Sequence, residues 1–292
     1  MYECVNLNKQ NMDDFKKLNK FNIKFNELNE DFYEFYSKCN FPQQVISRRK
    51  VKLLKYNNEY LGFIWYEYIN KNICIIKSMF SLESNKIDAY KKLLSNIKGN
   101  ATIQYTCKSN DINSKIMNEL GFSKNDGLLE MSLSNFIFDR NFYNEIVSIN
   151  HLSFRKFVKG RDENLRCSIQ NQVFEEENRS PLSIHDIYFD ESQNYYLETG
   201  AVFLYKGLKC VGYGQIILEK NYPYIVNVGV ISEFRGLSYG KILMFHLLDL
   251  VNENKYDEVR LKVKDNNYKA LNLYKGIGFK EISEVYKWKL KR

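Results

Sequence analysis

The stretch that decides the fold is VISEFRGLSYGKIL, residues Val230 to Leu243. It follows a β-rich run, Ile225 to Val230, and its apolar residues continue from Leu243 to Val251 at the spacing of one helical face. A strand, a glycine-bearing turn and a helix bring free backbone N–H groups and the positive end of a helix dipole to one point, and Lys241 adds a positive charge. The stretch therefore predicts an anion site, best suited to pyrophosphate; a plain strand-to-helix turn is the alternative.

Two segments of the chain repeat one pattern. DNNYKALNLYKGIGFKE (Asp265 to Glu281) and SNDINSKIMNELGFSK (Ser109 to Lys124) each contain an asparagine followed, at identical spacing, by a Gly-Phe pair. Each segment lies between alternating runs that predict strands, and each half has an upstream pair of such runs around a short turn, at Asn57-Asn58 and Lys206-Gly207. We therefore interpret the chain as two copies of one α/β unit.

The two copies differ at the predicted anion site. After its fourth strand the first half has MFSLESNKIDAYKKLLSNI, a stretch without glycine. Several backbone N–H groups can point at one phosphate only where side chains do not block the approach. We therefore expect that the first half lacks the site, and we predict a degenerate domain at residues 1–138 and the functional domain at residues 139–292.

Composition and charge narrow the function further. Apolar residues make up 44% and charged residues 27% of the chain, which are values of a globular protein. Neither a secretory signal nor a membrane-spanning run is recognisable, so we expect a cytoplasmic protein. The net charge of +8 permits an anionic ligand, but no run of five Lys or Arg residues indicates nucleic-acid binding. The six cysteines have no metal-ligand spacing, so we expect buried free thiols and no metal.

The pattern V-x-x-x-x-R-G-x-S-x-G-K-x-L, followed by N-x-x-A-x-x-x-Y-x-x-x-G-F, resembles the GNAT superfamily of acyl-CoA-dependent acetyltransferases. The family's loop usually reads Arg/Gln-x-x-Gly-x-Gly/Ala, whereas this chain has Ser238 at the middle glycine. Serine tolerates the helical φ and ψ angles expected there, so we predict weakened rather than abolished binding. A positive φ would cost more, on the order of 1–2 kcal/mol.

A second resemblance concerns the start of the functional half. KGRDENLRCSIQNQVFEEE (Lys159 to Glu177) is similar to mycothiol-synthase-type tandem GNAT proteins, in which a G-R-D-E and an N-x-x-F recur; here these are Gly160 to Glu163 and Asn171 to Phe174. The resemblance implies an α/β fold of two tandem GNAT-like domains, each a mixed, mostly antiparallel sheet flanked by helices. It does not imply that family's sugar-amine substrate.

The GNAT resemblance also implies roles for particular residues. Backbone groups of Val228, Gly229 and Val230 would pair with the pantetheine arm of acetyl-CoA. One helical face, formed by Asn267, Ala270 and Tyr274, would lie against the thiol end of the cofactor. Core packing is the alternative role for Ala270 and, less favoured, for Tyr274. The pyrophosphate would be held by seven consecutive N–H groups, those of Arg235, Gly236, Leu237, Ser238, Tyr239, Gly240 and Lys241.

Acyl transfer to an amine requires a polarised thioester, a proton for the departing thiolate and a neutral amine. The N–H groups around Val230 can polarise the carbonyl. Tyr274 can donate the proton, because its reference pKa of about 10 is close to that of a thiol. Tyr224 occupies the position where some histone-acetylating relatives have a glutamate, but a neutral tyrosine is a poor base. Asn227 could orient a water, and Glu198 could reach the cleft, although a solvated surface role is favoured for it.

These observations favour an N-acetyltransferase that moves an acetyl group from acetyl-CoA, as co-substrate, to a primary amine by direct attack in a ternary complex. Two alternatives stay open: a protein that binds CoA or another ligand without catalysis, and an acyltransferase for a different acyl-CoA. The partner expected is a small-molecule or peptide amine, with no nucleic acid and no membrane. The sequence leaves the acceptor and the oligomeric state open, a homodimer included.

Overall fold

The computed structural model describes residues 1–83, 86–135, 140–175 and 179–291. The chain divides into two compact units, residues 1–128 with 283–292, and residues 129–282. The predicted domain boundary between residues 138 and 139 lies outside the described residues. The units differ from the predicted domains in two respects, because the second begins at residue 129 and the last ten residues of the chain group with the first.

The first unit is built on six strands and five helices among its described residues. Its strands are β1 (Glu3–Asn6), β2 (Val51–Tyr56), β3 (Glu59–Asn70), β4 (Ile73–Ser81), β5 (Thr102–Lys108) and the end of β12 (Lys280–Leu290). Its helices are α1 (Met12–Asn19), α2 (Phe32–Ser37), α3 (Phe41–Arg49), α4 (Ile87–Leu94) and α5 (Asp111–Glu119). The sheet order is β1-β2-β3-β4-β5-β12, and β4 with β5 is the parallel pair.

The core of the first unit is mainly aromatic. Phe15, Phe63, Trp65, Tyr90 and Trp288 are almost fully buried. The predicted hairpin is confirmed, because β2 and β3 pair antiparallel and Asn57 and Asn58 between them have φ angles of 47° and 71°. Asparagine tolerates this left-handed region better than most residues, which suits it to a two-residue hairpin turn.

The second unit repeats this plan. Its strands are the end of β6 (Ser123–Ser134), β7 (Leu152–Lys156), β8 (Tyr196–Lys206), β9 (Lys209–Glu219), β10 (Tyr222–Val230) and β11 (Glu258–Lys264). Its helices are α6 (Arg140–Ile149), α7 (Glu163–Val173), α8 (Ile184–Glu191), α9 (Tyr239–Glu253) and α10 (Tyr268–Ile277). The sheet order is β6-β11-β10-β9-β8-β7, with β10 and β11 parallel. The apolar face predicted after the decisive loop is confirmed, since Leu243, Leu247, Leu250 and Val251 of α9 are buried.

The internal sequence repeat corresponds to the residues that cap one helix in each unit. Asn110 and Asn267 are the N-caps of α5 and α10, and each accepts a hydrogen bond from the main-chain N–H three residues later. The glycines of the two Gly-Phe pairs, Gly121 and Gly278, have φ angles of 82° and 114° and end the helices. Side-chain oxygen at the start and glycine at the end are the residues that helix termini favour. The repeat therefore marks equivalent helices in the two units.

Each unit has a mixed, mostly antiparallel sheet with helices packed on it, which confirms the predicted fold class. None of the six cysteines, all of which the structure describes, forms a disulfide bond. Cys74 and Cys107 are buried, but the other four are only half-buried, so the expectation of six buried thiols is wrong in part. Among the helices that the structure describes, none is long and apolar enough to cross a membrane.

Candidate functional site

Strands β10 and β11 separate after a short parallel pairing. They are joined at Tyr224↔Arg260 and Ile225↔Leu261, and β10 then continues to Val230 with no partner strand on that side in the part of the chain that the structure describes. The separation begins at a bulge against β9, where Asn227 has a φ of 52°. A bulge increases the local twist and bends the strand, which moves it away from its neighbour. We call the space bordered by residues 226–230 of β10 and residues 262–264 of β11 the strand opening.

Main-chain groups of β10 face the strand opening. The N–H of Ile231 donates to the carbonyl of Val211 at 3.0 Å, so it points towards β9. Because successive residues of a regular strand alternate in direction, the N–H group of Val230 points the other way, into the opening. The carbonyl of Val230 already accepts a hydrogen bond from Arg235 Nε at 3.0 Å. Of the residues predicted to pair with pantetheine, Val230 thus offers an outward N–H group, whereas Gly229 is paired with Tyr213 on β9.

Gly229 has a second role, in packing. A Cβ atom at this position would lie 2.3 Å from Cγ1 of Val173 on α7. No side chain fits at that distance, so glycine is what allows α7 to approach the bulged strand. Arg235 reinforces the same contact, because its Nη2 donates to the carbonyl of Val173 at 2.8 Å.

Five of the seven predicted phosphate-binding N–H groups are available. Arg235 N–H donates to the carbonyl of Ser232 at 3.2 Å, and Lys241 N–H donates to that of Ser238 at 3.0 Å. The other five donate to no acceptor among the described residues; they belong to Gly236, Leu237, Ser238, Tyr239 and Gly240. They lie at the N-terminus of α9, where the helix dipole favours negative charge.

Ser238 corrects one expectation. Its φ is 62° and its ψ is 5°, so it has the left-handed conformation and not the helical angles predicted from sequence. Gly236, two residues earlier, also has a positive φ of 81°. Turns with such alternation direct successive N–H groups to one side and form a concave anion site. The loop therefore keeps the shape of an anion site, but Ser238 holds it at the expense of backbone strain.

This strain leads to a test by substitution. Ser238→Gly should raise the free energy of unfolding by about 0.5–1 kcal/mol, because the relief of left-handed strain exceeds the greater flexibility of the unfolded chain. Urea unfolding measures the difference. Ser183, the N-cap of α8 with a φ of −94°, is the matched control, and Ser183→Gly should lower stability by a few tenths of a kcal/mol. A destabilised Ser238→Gly protein would contradict the assignment of strain.

The side chains of the loop anchor it and leave its N–H groups to bind. Tyr239 is buried, and its hydroxyl donates to Oδ1 of Asn150 at 2.9 Å. The Lys241 ammonium lies 4.7 Å from the ring centre of Phe142 and 5.4 Å from that of Phe245. Its charge thus lies against aromatic rings of α6 and α9.

The three residues predicted to form one face of α10 have different surroundings. Asn267 is exposed, and its Oδ1 caps the helix by accepting from Ala270 N–H at 3.2 Å. Ala270 is half-buried and packs against the core of the second unit. Tyr274 is only 8% exposed, and its ring lies 6.0 Å from that of Phe279. Asn267 is therefore explained by helix capping, Ala270 is consistent with core packing, and Tyr274 keeps a functional interpretation.

Tyr274 has a hydroxyl without a hydrogen-bond partner among the described residues. Burial raises the pKa of Tyr274 to about 12. The hydroxyl is therefore protonated throughout the neutral range and can donate. It is a weaker acid than the sequence-based reasoning assumed, because a pKa of about 12 is further from that of a thiol than the reference value of about 10.

Tyr224 lies at the point where the strands separate. Its hydroxyl donates a short hydrogen bond to Glu130 of β6. Burial, and then the hydrogen bond to Glu130, raise the pKa of Tyr224 to about 12. Sequence reasoning missed Glu130, which is 94 residues away along the chain. The signal available was a carboxylate placed between the buried Leu129 and Met131 of a predicted strand.

A buried polar cluster lies on the same side of the sheet as α7. The Arg166 guanidinium is 1% exposed; it donates to Asp190 and, at 3.1 Å, to Oε1 of Gln215. The same Gln215 oxygen accepts from Asn227 Nδ2 at 3.2 Å. Asn227 is therefore held at the bulge by hydrogen bonding, which was not foreseen. Glu198, the other residue considered from sequence, lies exposed on β8.

The first unit has a corresponding gap, which its own chain fills. β4 and β5 pair only as far as Ile76↔Tyr105. Beyond this point Asn29 Nδ2 donates to the carbonyl of Met79 at 3.0 Å, and Asn26 Nδ2 donates to that of Thr106 at 2.9 Å. The two edges that a pantetheine arm would need are thus already hydrogen-bonded. The strand opening of the second unit is the candidate site.

Comparison with known proteins agrees with this geometry. Residues 170–279 match the model of the acetyltransferase (GNAT) family. By sequence, no curated protein matches the chain. Solved structures show a similar fold over nearly the whole chain.

Three of these structures are similar over nearly their full length. A GCN5-related N-acetyltransferase from Sphaerobacter thermophilus has a TM-score of 0.57 at 12% identity, covering 99% of this chain and 95% of that one. A GNAT-family acetyltransferase from Colwellia psychrerythraea has a TM-score of 0.54 at 11% identity, covering 99% and 100%. A tandem GNAT protein from the clavulanic acid biosynthesis pathway, solved without acetyl-CoA, has a TM-score of 0.50 at 11% identity, covering 100% and 98%.

Proposed function

We propose that the chain is an N-acetyltransferase that moves an acetyl group from acetyl-CoA directly to a primary amine in a ternary complex. Binding and chemistry are assigned to the second unit. The observation that carries the proposal is the strand opening with five available N–H groups at one of its ends. Such groups suit the pyrophosphate of coenzyme A, and the edge of β10 along the strand opening suits its pantetheine arm.

The proposal assigns two of the three requirements of acyl transfer to residues of the second unit. The Val230 N–H, directed into the opening, donates to the thioester oxygen as negative charge develops on it. The Tyr274 hydroxyl, which is protonated at neutral pH, donates to the departing thiolate. The third requirement is a neutral amine, and deprotonating an alkylamine at pH 7 costs about 4 kcal/mol.

Thermal unfolding of the intact protein with acetyl-CoA tests the binding step. Ligand at about 100 times its Kd adds roughly 2.7 kcal/mol to stability, which corresponds to a rise in Tm of about 5 °C. Release of free thiol from acetyl-CoA in a screen of amines then tests catalysis. A protein that shows no rise in Tm at saturating acetyl-CoA would refute the proposal.

One observation favours a second candidate, a protein that binds CoA without catalysis. Ser238, in the left-handed conformation, occupies a loop position at which the GNAT resemblance predicts glycine. A site that only binds CoA has fewer requirements to meet than a catalytic site and would allow this residue. The two functions separate cleanly in the experiments above. A rise in Tm without thiol release for any amine supports the binding protein, whereas amine-dependent thiol release supports the enzyme. A panel of longer acyl-CoA compounds in the same assay identifies the acyl group.

A further inference from the structure

We propose, on the basis of the acetyltransferase function proposed above, that Glu130 accepts the proton of the acceptor amine through the hydroxyl of Tyr224. Glu130 lies on β6, outside the segment 170–279 that matches the GNAT family. The acceptor amine must lose a proton, and neither the sequence nor the strand opening itself provides a group that takes it. The proposal gives this role to Glu130.

The sheet register places Tyr224 on the side where the site is built. Tyr224, Val226 and Gly229 pair with Ile217, Gln215 and Tyr213 of β9. Directly paired residues project from the same face of a sheet. Gln215 contacts Arg166 of α7, and Gly229 lies against Val173 of the same helix. The Tyr224 side chain therefore projects from the α7 face, one residue before the strands separate.

Charged groups around Tyr224 are arranged so that Glu130 is its hydrogen-bond acceptor. Arg260 lies 3.9 Å from Glu130, but its closer partner is Glu258, at 2.7 Å. On the same face, the Lys262 ammonium lies 4.8 Å from the ring centre of Tyr224 and pairs with Glu219 at 2.8 Å.

The surroundings also limit how water reaches the pair. The Glu130 side chain is 21% exposed, so water reaches it only in part. Tyr222, two residues before Tyr224 on β10, lies under Arg260, whose guanidinium is 3.5 Å from its ring centre. Of these charged groups, only Glu130 is hydrogen-bonded to Tyr224 as an acceptor.

The proton steps balance as follows. Before the attack, one N–H bond of the acceptor ammonium breaks and its proton passes to the Tyr224 oxygen, which leaves a neutral amine. The proton that Tyr224 held passes at the same time to the Glu130 carboxylate, so the tyrosine stays neutral. The neutral amine then attacks the carbonyl carbon, and when the C–S bond breaks, Tyr274 protonates the thiolate. The attacking nitrogen loses its surplus proton to the Tyr274 oxygen through solvent, and Glu130 releases its proton to solvent. In this scheme Tyr224 contacts the amine, whereas Glu130 does not contact the amine and accepts the proton from Tyr224.

The test uses Glu130→Gln in the full chain, with thiol release from acetyl-CoA measured for two probe amines. Glutamine keeps the size of the side chain and one acceptor for Tyr224, but it does not take up a proton. For the strongly basic benzylamine, kcat/KM should fall about 100-fold, at the lower end of general-base contributions. For the weakly basic aniline, which is neutral at pH 7, the wild-type kcat/KM should be retained. Tyr224→Phe should reproduce this difference between the amines.

Glu219→Gln is the matched control, because Glu219 is a carboxylate of the same face that pairs with Lys262 beside Tyr224. It should leave both rates unchanged. Equal losses for the two amines in Glu130→Gln would show a structural role and overturn the inference, and so would unchanged rates. A wild-type protein that releases thiol with neither amine nor any other in the screen would refute the proposed function, and this inference with it. Wild-type turnover with an insensitive Glu130→Gln protein would refute only the inference.

Discussion

Replacing Gly240 with tryptophan is expected to remove the binding of acetyl-CoA, with an affinity at least about 100-fold lower, so that the rise in Tm disappears. Gly240 carries the last of the five available N–H groups, on the first turn of α9. A Cβ atom there would lie 3.8 Å from Cδ2 of Leu273 on α10, an ordinary van der Waals contact. The protein should therefore fold with a larger residue, while the indole occupies the space beside the N–H groups. Thermal unfolding and titration calorimetry measure the loss.

Gly276 provides a control of the same kind. It lies exposed on α10, and a Cβ atom there would meet nothing within 4 Å. Gly276→Trp introduces the same side chain into the second unit and should keep the full rise in Tm. If Gly240→Trp also kept it, the pyrophosphate would bind elsewhere and the loop would be a plain strand-to-helix turn, the alternative left open by its sequence. Gly240→Ala should fall between the two, because it adds only one methyl group.

Local sequence signals were sufficient to predict the plan of the fold. Alternating runs gave the strands of both hairpins, and Asn57-Asn58 marked the turn of the first. The spacing from Asn267 to Gly278 predicted a helix because both of its caps are encoded in residues at its ends. These features depend on residues that are close along the chain, and they can therefore be predicted from a single sequence. The order of the strands, and the grouping of the last ten residues with the first unit, depend on distant pairings and were not predicted.

The candidate site was predicted only where the chemistry lies in the main chain of one segment. The loop from Arg235 to Lys241 was found because glycines and a following helix are visible in the sequence. The left-handed angle of Ser238 was not, since serine gives no sign of a positive φ and the surrounding loop imposes it. Glu130 was missed for a different reason: a hydrogen bond across 94 residues has no sequence pattern.

The first unit shows the same limit. The missing glycines after its fourth strand predicted the loss of an anion site, but they did not reveal what fills the gap between β4 and β5. Asn29 hydrogen-bonds to Met79 and accepts from the hydroxyl of Tyr105 at 2.6 Å. An asparagine in a loop is usually explained by turn formation, so its use as a bridge between two strands becomes visible only in three dimensions. The fold thus keeps the separated strands in both units but, among the described residues, leaves the strand edges available only in the second.

Tyr274→Phe is expected to lower kcat by about 100- to 1000-fold and to leave acetyl-CoA binding intact. The substitution removes only the hydroxyl, which has no hydrogen-bond partner among the described residues, so the buried ring and its contact with Phe279 are kept. Stopped assays of thiol release measure kcat, and the rise in Tm with acetyl-CoA measures binding. Tyr268→Phe is the control, because Tyr268 lies exposed on the same helix and should be silent in both measurements.

The pKa of Tyr274 separates its role from that of a base. A pKa of about 12 keeps the hydroxyl protonated up to pH 10 and beyond, so a donor role predicts no loss of kcat on the alkaline side from this residue. A base would need the ionised form, whose fraction at pH 7 is about one in 10⁵ for that pKa. If Tyr274→Phe lost the rise in Tm as well as activity, the residue would hold the co-substrate in place and the thiolate would have to be protonated by solvent. A fall in kcat with unchanged binding, seen only when the hydroxyl is removed, is the result that assigns the proton to Tyr274.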